Sequence, residues 1–143
     1  MGTTTFSGPV KAGTVREGAS ANTGSVLMAQ SAVIDIIGAT NTTAVGIIPA
    51  NSQIVDVILN VTTASDDGGA ATVKIGHVGD DDEYLAATNV KAVGTTRGTI
   101  GADGTDIGTS DQTVNAIYTA ANGNGANGAA TVTILYIQNN NLA

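Results

Sequence analysis

The sequence predicts an all-β protein: an antiparallel β-sandwich or jelly-roll-like domain over residues 25–143, preceded by an extended N-terminal arm over residues 1–24. Three observations lead there. Short apolar runs recur along the chain with turn residues between them, and within the clearest runs apolar and polar side chains alternate. The composition is that of strands and turns, with 21 Thr, 19 Gly and 12 Asn in 143 residues. No segment carries a sustained 3.6-residue apolar period with caps, as a helix would.

Taken in order, residues 1–24 hold Lys11, Arg16 and Glu17 in a background of Gly, Ser, Thr and Ala, giving a net charge of +1 against −8 for residues 25–143. Phe6, Val10 and Val15 are spaced apolar points in this polar segment, the pattern of an arm that orders on a partner. Val26–Gln30 and Ala32–Ile37 read as two strands, with Gly38–Asn41 as a break, and Ala44–Ile48 as a third that Pro49 stops. Gln53–Thr62 is the longest run. Its alternation puts Val55, Val57, Leu59 and Val61 on one face, and Asp56 and Asn60 with Ile54 and Ile58 on the other. Thr72–His77 turns Val73 and Ile75 inward and Lys74 outward, and Leu85–Val93 is a weaker run. Thr113–Thr119 and Ala130–Gln138 close the chain. In the last run Val132, Ile134 and Tyr136 share one face and Leu135 and Ile137 the other, so both faces are expected to be covered. Between these two runs lies Ala121–Ala129, whose Asn-Gly pairs predict a hairpin.

A chain of this length can bury roughly 70% of its unfolded surface as one domain. With one Phe, three Tyr and no Trp, its core must come from Val, Ile, Leu and Ala. The net charge is −7 and only 12% of residues are charged. Five scattered Lys and Arg do not make a surface for a nucleic-acid backbone or an anionic membrane, so neither is an expected partner. No cysteine is present, which removes disulfides and thiolate chemistry. The apolar runs are too short to span a bilayer. The opening, Met1–Phe6, has neither a basic region nor an apolar run, so no signal peptide is expected, and the protein is expected to be made and kept in the cytosol or released with a particle.

Candidate chemistry is thin. His77 is the one histidine, and no Ser or Cys lies in a nucleophile motif beside it. Asp80–Glu83 is the densest acid cluster, but neighbouring residues of an extended segment point in opposite directions, and EF-hand spacing is absent, so it reads as a solvated turn. Asp66–Gly69 and Asp103–Asp106 read as Asp-Gly turns that keep the surface soluble. Gly123–Gly128 formally matches Gly-x-Gly-x-x-Gly, but a strand follows it rather than the helix whose N-terminus holds phosphate. Catalytic, cofactor and metal residues are therefore expected to be none, and an enzyme is disfavoured.

The middle of the chain resembles the decoration, cement or head-fibre-like proteins of tailed-bacteriophage capsids. The residues that carry the likeness are Ile48-Pro49-Ala50-Asn51-Ser52-Gln53-Ile54, Val57–Thr63, Val73-Lys74-Ile75-Gly76 and Asp82-Glu83-Tyr84-Leu85-Ala86-Ala87, with the opening Thr3–Val10 similar to the start of phage structural proteins. Together they cover roughly a third to a half of the chain. The resemblance implies a non-enzymatic virion protein with a β-sandwich core, bound to the major capsid protein on the outer surface of the head, often as a homotrimer. On that reading the capsid-binding residues are those of the arm, Phe6, Val10, Lys11, Val15 and Arg16. The alternative is a head-fibre or tail-associated β domain that binds host-surface glycans. Such sites need aromatic platforms, and this chain offers only Phe6, Tyr84, Tyr118 and Tyr136.

Overall fold

The computed structural model describes residues 27–101 and 107–138. The expected arm over residues 1–24 therefore lies outside the described residues, as do Phe6, Val10, Lys11, Val15 and Arg16. Eight strands follow one another: β1 (Leu27–Asp35), β2 (Asn41–Ile48), β3 (Ser52–Thr63), β4 (Ala71–His77), β5 (Asp80–Asn89), β6 (Gly94–Arg97), β7 (Gln112–Ala120) and β8 (Ala129–Gln138). They form two four-stranded sheets, ordered β1-β8-β3-β6 and β2-β7-β4-β5, with every pair antiparallel. The all-β sandwich read from composition and alternation is the fold of the chain.

Consecutive strands alternate between the sheets with one exception, the β4–β5 hairpin, which turns through Val78 and Gly79. Gly79 has φ +113°, a conformation that side chains disfavour. This topology corrects the reading of Ala121–Ala129. Its Asn-Gly pairs do bend the chain, but β7 and β8 belong to different sheets, so the segment crosses the sandwich instead of closing a hairpin. Likewise Pro49-Ala50-Asn51 carries the chain from β2 in one sheet to β3 in the other. Asn51 takes φ +58°, its N–H donates to Gly108 O at 2.7 Å, and the Ala50 N–H donates to Asp111 Oδ1 at 2.9 Å.

The core lies between the sheets and is aliphatic. Val57, Leu59, Val73, Ile75, Val114, Val132 and Ile134 are fully buried, with Tyr84 and Tyr118 as the largest side chains among them. Each such aliphatic residue contributes roughly 1.5–3 kcal/mol by leaving water. The inward faces read from the sequence hold for Val73 and Ile75 on β4 and for Val132, Ile134 and Tyr136 on β8. They hold only in part on β3. Ile54 is 2% exposed and Val55 50% exposed, the reverse of strict alternation. The register against β8 shifts between Ile54 and Asp56, so Val55 is the extra residue of a β-bulge and the faces exchange there. From Val57 onward the expected parity returns.

Three other strands differ from expectation. The runs on either side of Ser31 are one strand, because β1 pairs with β8 without interruption from Leu27↔Ile137 to Asp35↔Ala129. Asp80–Glu83, read as a solvated turn, is the first half of β5. The four-residue β6 was not visible in the sequence, since all its side chains are exposed and show no alternation.

Candidate functional site

No described strand carries a recognisable catalytic constellation. His77, at the end of β4, has both ring nitrogens facing acceptors: Nε2 lies 2.6 Å from Glu83 Oε2 and Nδ1 lies 2.8 Å from Val78 O. Its ring centroid lies 6.0 Å from that of Tyr84, so the imidazole is held as a packing and bonding group at the hairpin. Asp81 pairs with Lys74 at 2.6 Å. Two of the four acids of β5, Asp81 and Glu83, are thus paired with side chains of β4, and among the described residues no three His, Cys, Asp or Glu side chains converge to hold a metal. Among the described residues no helix is long and apolar enough to cross a membrane.

The described cations are likewise engaged. Arg97 donates to Asp56 on the outer face of the first sheet. Lys91 donates to Asp67 O and, at 2.8 Å, to Gly69 O. Burial pushes the Tyr84 hydroxyl up to about 12, with Glu83 and Asp80 adding to the effect, and the hydroxyl donates to Gln112 Oε1 at 2.6 Å. A neutral, hydrogen-bonded phenol in the core is structural.

The most organised polar cluster lies at one end of the sandwich, where the segment Ser65–Gly69 meets the crossing segment Asn122–Gly128. Asp67 is 1% exposed, and its carboxylate accepts from the N–H groups of Gly69 (2.8 Å), Asn124 (3.0 Å) and Asn122 (3.2 Å). Asp66 accepts from the Ala126 and Asn127 N–H groups at 2.7 and 2.9 Å and from the Asn127 side-chain amide at 2.8 Å. Ser65 Oγ and the Tyr118 hydroxyl lie 2.9 Å apart below them. These two aspartates are thus a clamp between two loops: Asp66 is exposed, as expected of a surface turn, whereas Asp67 is buried, which corrects its reading as a residue that keeps the surface soluble.

The bonds act on the titration of both carboxyls. For Asp67 the largest single effect is desolvation, which raises the pKa, but the N–H groups of Asn124, Gly69, Asn122 and Gly123 together outweigh it and hold the carboxyl below the ordinary 3.8. Asp66 is held below 3.8 first by the Asn127 N–H and then by its side-chain amide, against desolvation. A carboxyl depressed in the folded state adds stability that is present above its unfolded value and is lost as pH falls through the folded one. The melting temperature is therefore expected to be level from pH 7 to about 5 and to fall below about pH 4. An Asp66→Asn/Asp67→Asn double variant should melt lower throughout and show a shallower acid fall. Parallel acid slopes for the two proteins, by calorimetry, would contradict this assignment.

The remaining surface feature is apolar. The outer face of the first sheet carries Leu27 and Ala29 on β1 beside Ile137 and Leu135 on β8. Leu135 and Ile137 are half-buried, so the expected cover on their face is partial. At the sandwich edge, where β1 passes β2, the Gln30 side-chain amide bonds to both backbone groups of Ile47: Nε2 donates to Ile47 O at 2.7 Å and Oε1 accepts from Ile47 N–H at 3.0 Å. Gly46 leaves the room for this, since a Cβ there would lie 2.6 Å from Gln30 Oε1. Neither Gln30 nor Asp67 was marked by the sequence as more than a polar residue in a strand or turn.

No protein-family model matches the sequence, and no curated protein matches it. Among solved structures, the chain is similar to one in the acidic stable capsid structure of Helicobacter pylori bacteriophage KHP30, with 17% identity and a TM-score of 0.62 over 90% of this chain and 91% of that one. It is similar to another in the cyanophage Pam1 capsid asymmetric unit, with 18% identity and a TM-score of 0.62 over 86% of this chain and 93% of that one. At these identities the likeness establishes the shared fold along nearly the whole of both chains.

Proposed function

We propose that the chain is a non-enzymatic virion protein that binds the major capsid protein on the outer surface of a phage head and stabilises the head lattice. The observation that carries this reading is the sharing of one two-sheet sandwich, end to end, with components of two phage capsid structures. The surface chemistry supports it. The described cations are engaged within the fold, so the described residues present no basic face for nucleic acid. All three tyrosines are buried, which removes them as platforms for a sugar ring and speaks against the glycan-binding alternative. A small protein repeated over a shell gains collectively from modest contacts at each site.

On this reading residues 1–24 are the arm, with Phe6, Val10 and Val15 as apolar anchors and Lys11 and Arg16 as its cations, meeting the capsid or a neighbouring copy. The oligomer is a homotrimer at three-fold positions of the shell, the form suggested by the resemblance to decoration proteins. The test is decoration of shells that lack the protein, viewed by electron microscopy. The full chain should stud the outer surface with three-fold density. A form starting at Ser25 should keep its strand content by circular dichroism and bind at least tenfold more weakly. Equal decoration by the shortened form would remove the arm's role, and no density on the shell would remove the function.

A further inference from the structure

A two-sheet sandwich has four edge strands, here β1 and β6 of one sheet and β2 and β5 of the other. An edge strand presents unpaired N–H and C=O groups, and proteins commonly blunt it with short length, charge, bulges or a covering group. Three of these four edges are blunted. β6 has only four residues and ends at Arg97, which is tied to Asp56. β5 carries Asp80, Asp81, Asp82 and Glu83 and has two register shifts against β4. β2 is bulged between Ala44 and Gly46, and Gln30 occupies both backbone groups of Ile47.

β1 is different. It is nine residues long, runs in unbroken register with β8, contains no Gly or Pro, and has one charge, Asp35, at its last position. The exposed large apolar residues gather beside it. Of eight among the described residues, Leu27, Met28 and Val33 lie on β1, Ile37 just beyond it, and Ile47 on the adjoining β2. Val33 is 71% exposed.

We infer that this edge is an interface between copies of the chain, in which β1 pairs antiparallel with β1 of a second copy about a two-fold axis at Ser31. Charge identifies the occupant. Each copy carries −7, so two copies repel, and they can meet closely only where charge is low. β2 is uncharged as well but is bulged and covered by Gln30, so β1 is the one long edge that is both low in charge and unblunted, and it complements itself. In the antiparallel alignment Ser31 faces the partner's Ser31, Val33 faces the partner's Ala29, and Leu27 faces the partner's Asp35. The two aspartates then stand eight residues apart, about 27 Å at roughly 3.4 Å per residue. That is well beyond the screening length of about 8 Å. The outward row Leu27, Ala29, Ser31 and Val33 of one copy continues into that of the other, and the two four-stranded sheets become one of eight strands. This contact is independent of the arm and of three-fold placement, and on a shell it would link one oligomer to the next.

The chain has no cysteine, so introduced thiols report the register directly. In the purified full-length protein under mild oxidation, Ser31→Cys is expected to give a disulfide-linked dimer as the main species. Thr119→Cys, on an exposed position of β7, should give at least tenfold less. Ala29→Cys should cross-link when mixed with Val33→Cys and not by itself. Adding Val33→Lys to Ser31→Cys should cut the yield at least fivefold while leaving the circular dichroism spectrum unchanged, since Val33 is exposed. Cross-linking of Ser31→Cys at the Thr119→Cys level, or unaffected by Val33→Lys, would overturn the proposal. A cross-linked dimer with no three-fold species in solution or on shells would support it and count against the trimer instead.

Discussion

Replacing Gly98 with alanine is expected to destabilise the protein by about 3 kcal/mol, the upper part of the usual overpacking range. Gly98 follows β6, and its N–H donates to Val57 O at 2.7 Å, which fastens the segment to the first sheet. At the same point the chain touches the second sheet: a Cβ on Gly98 would lie 2.0 Å from Tyr84 O and 3.4 Å from Val57 O. Both obstacles are backbone atoms in strands whose side chains fill the core, so neither can rotate away. To accept a methyl group, either the Gly98–Val57 bond must lengthen or β5 must move and carry the buried Tyr84 with it. Gly46 has a similar place at the opposite edge, but the atom nearest to its missing Cβ belongs to the flexible Gln30 side chain. Gly46→Ala should therefore cost clearly less than Gly98→Ala. Denaturant midpoints for the two variants test this ranking, and a Gly98→Ala protein as stable as its parent would show that the β5–β6 edge yields where the structure holds it tight.

Alternation along a strand is local information, and it was legible wherever a strand stays in register with its neighbour. Val57, Leu59 and Val61, Val73 and Ile75, and Val132, Ile134 and Tyr136 all face the core as their spacing dictates. Val55 broke the pattern because a bulge is set by the partner strand, and nothing in Gln53–Thr62 itself records where β8 slips past it. Turn residues were legible as bends but not as destinations. Asn-Gly pairs supply left-handed backbone whether the next strand returns to the same sheet or crosses to the other, so the β7–β8 connection resembled a hairpin. Aspartate carried the same ambiguity. Asp66 and Asp67 have the composition of a wet turn, and only the arrival of Asn122–Asn127, more than fifty residues later, makes them acceptors of a clamp. The low charge and the apolar runs on either side of Ser31 were plain in the sequence, but their meaning depended on their forming one strand, and that strand lying at a sheet edge.

The Asp67 clamp leads to the other large expected effect. Asp67→Ala should lower the melting temperature by on the order of 10 °C, because several main-chain donors lose their acceptor at once in a site closed to water. The N–H groups of Gly69, Asn122 and Asn124 converge on this one carboxylate, and the Asp67 carbonyl receives Lys91 from the third side. Asn122 and Asn124 lie on the segment that carries the chain from β7 in the second sheet to β8 in the middle of the first, so loosening them frees one end of the sandwich. Asp67→Asn should not rescue the loss: its NH2 would face donors where a carboxylate oxygen had accepted, leaving at least one of them unpaired. Asp66→Ala should cost less, since Asp66 is exposed and water can replace it as acceptor for Ala126 and Asn127. Amide hydrogen exchange gives the local reading. In Asp67→Ala the amides of Gly69, Asn122 and Asn124 should exchange much faster, while those of β3 paired with β8 stay protected up to global unfolding. A melting temperature within about 2 °C of the parent, with those three amides still slow, would mean that the loops hold themselves together and that Asp67 merely fills the space between them.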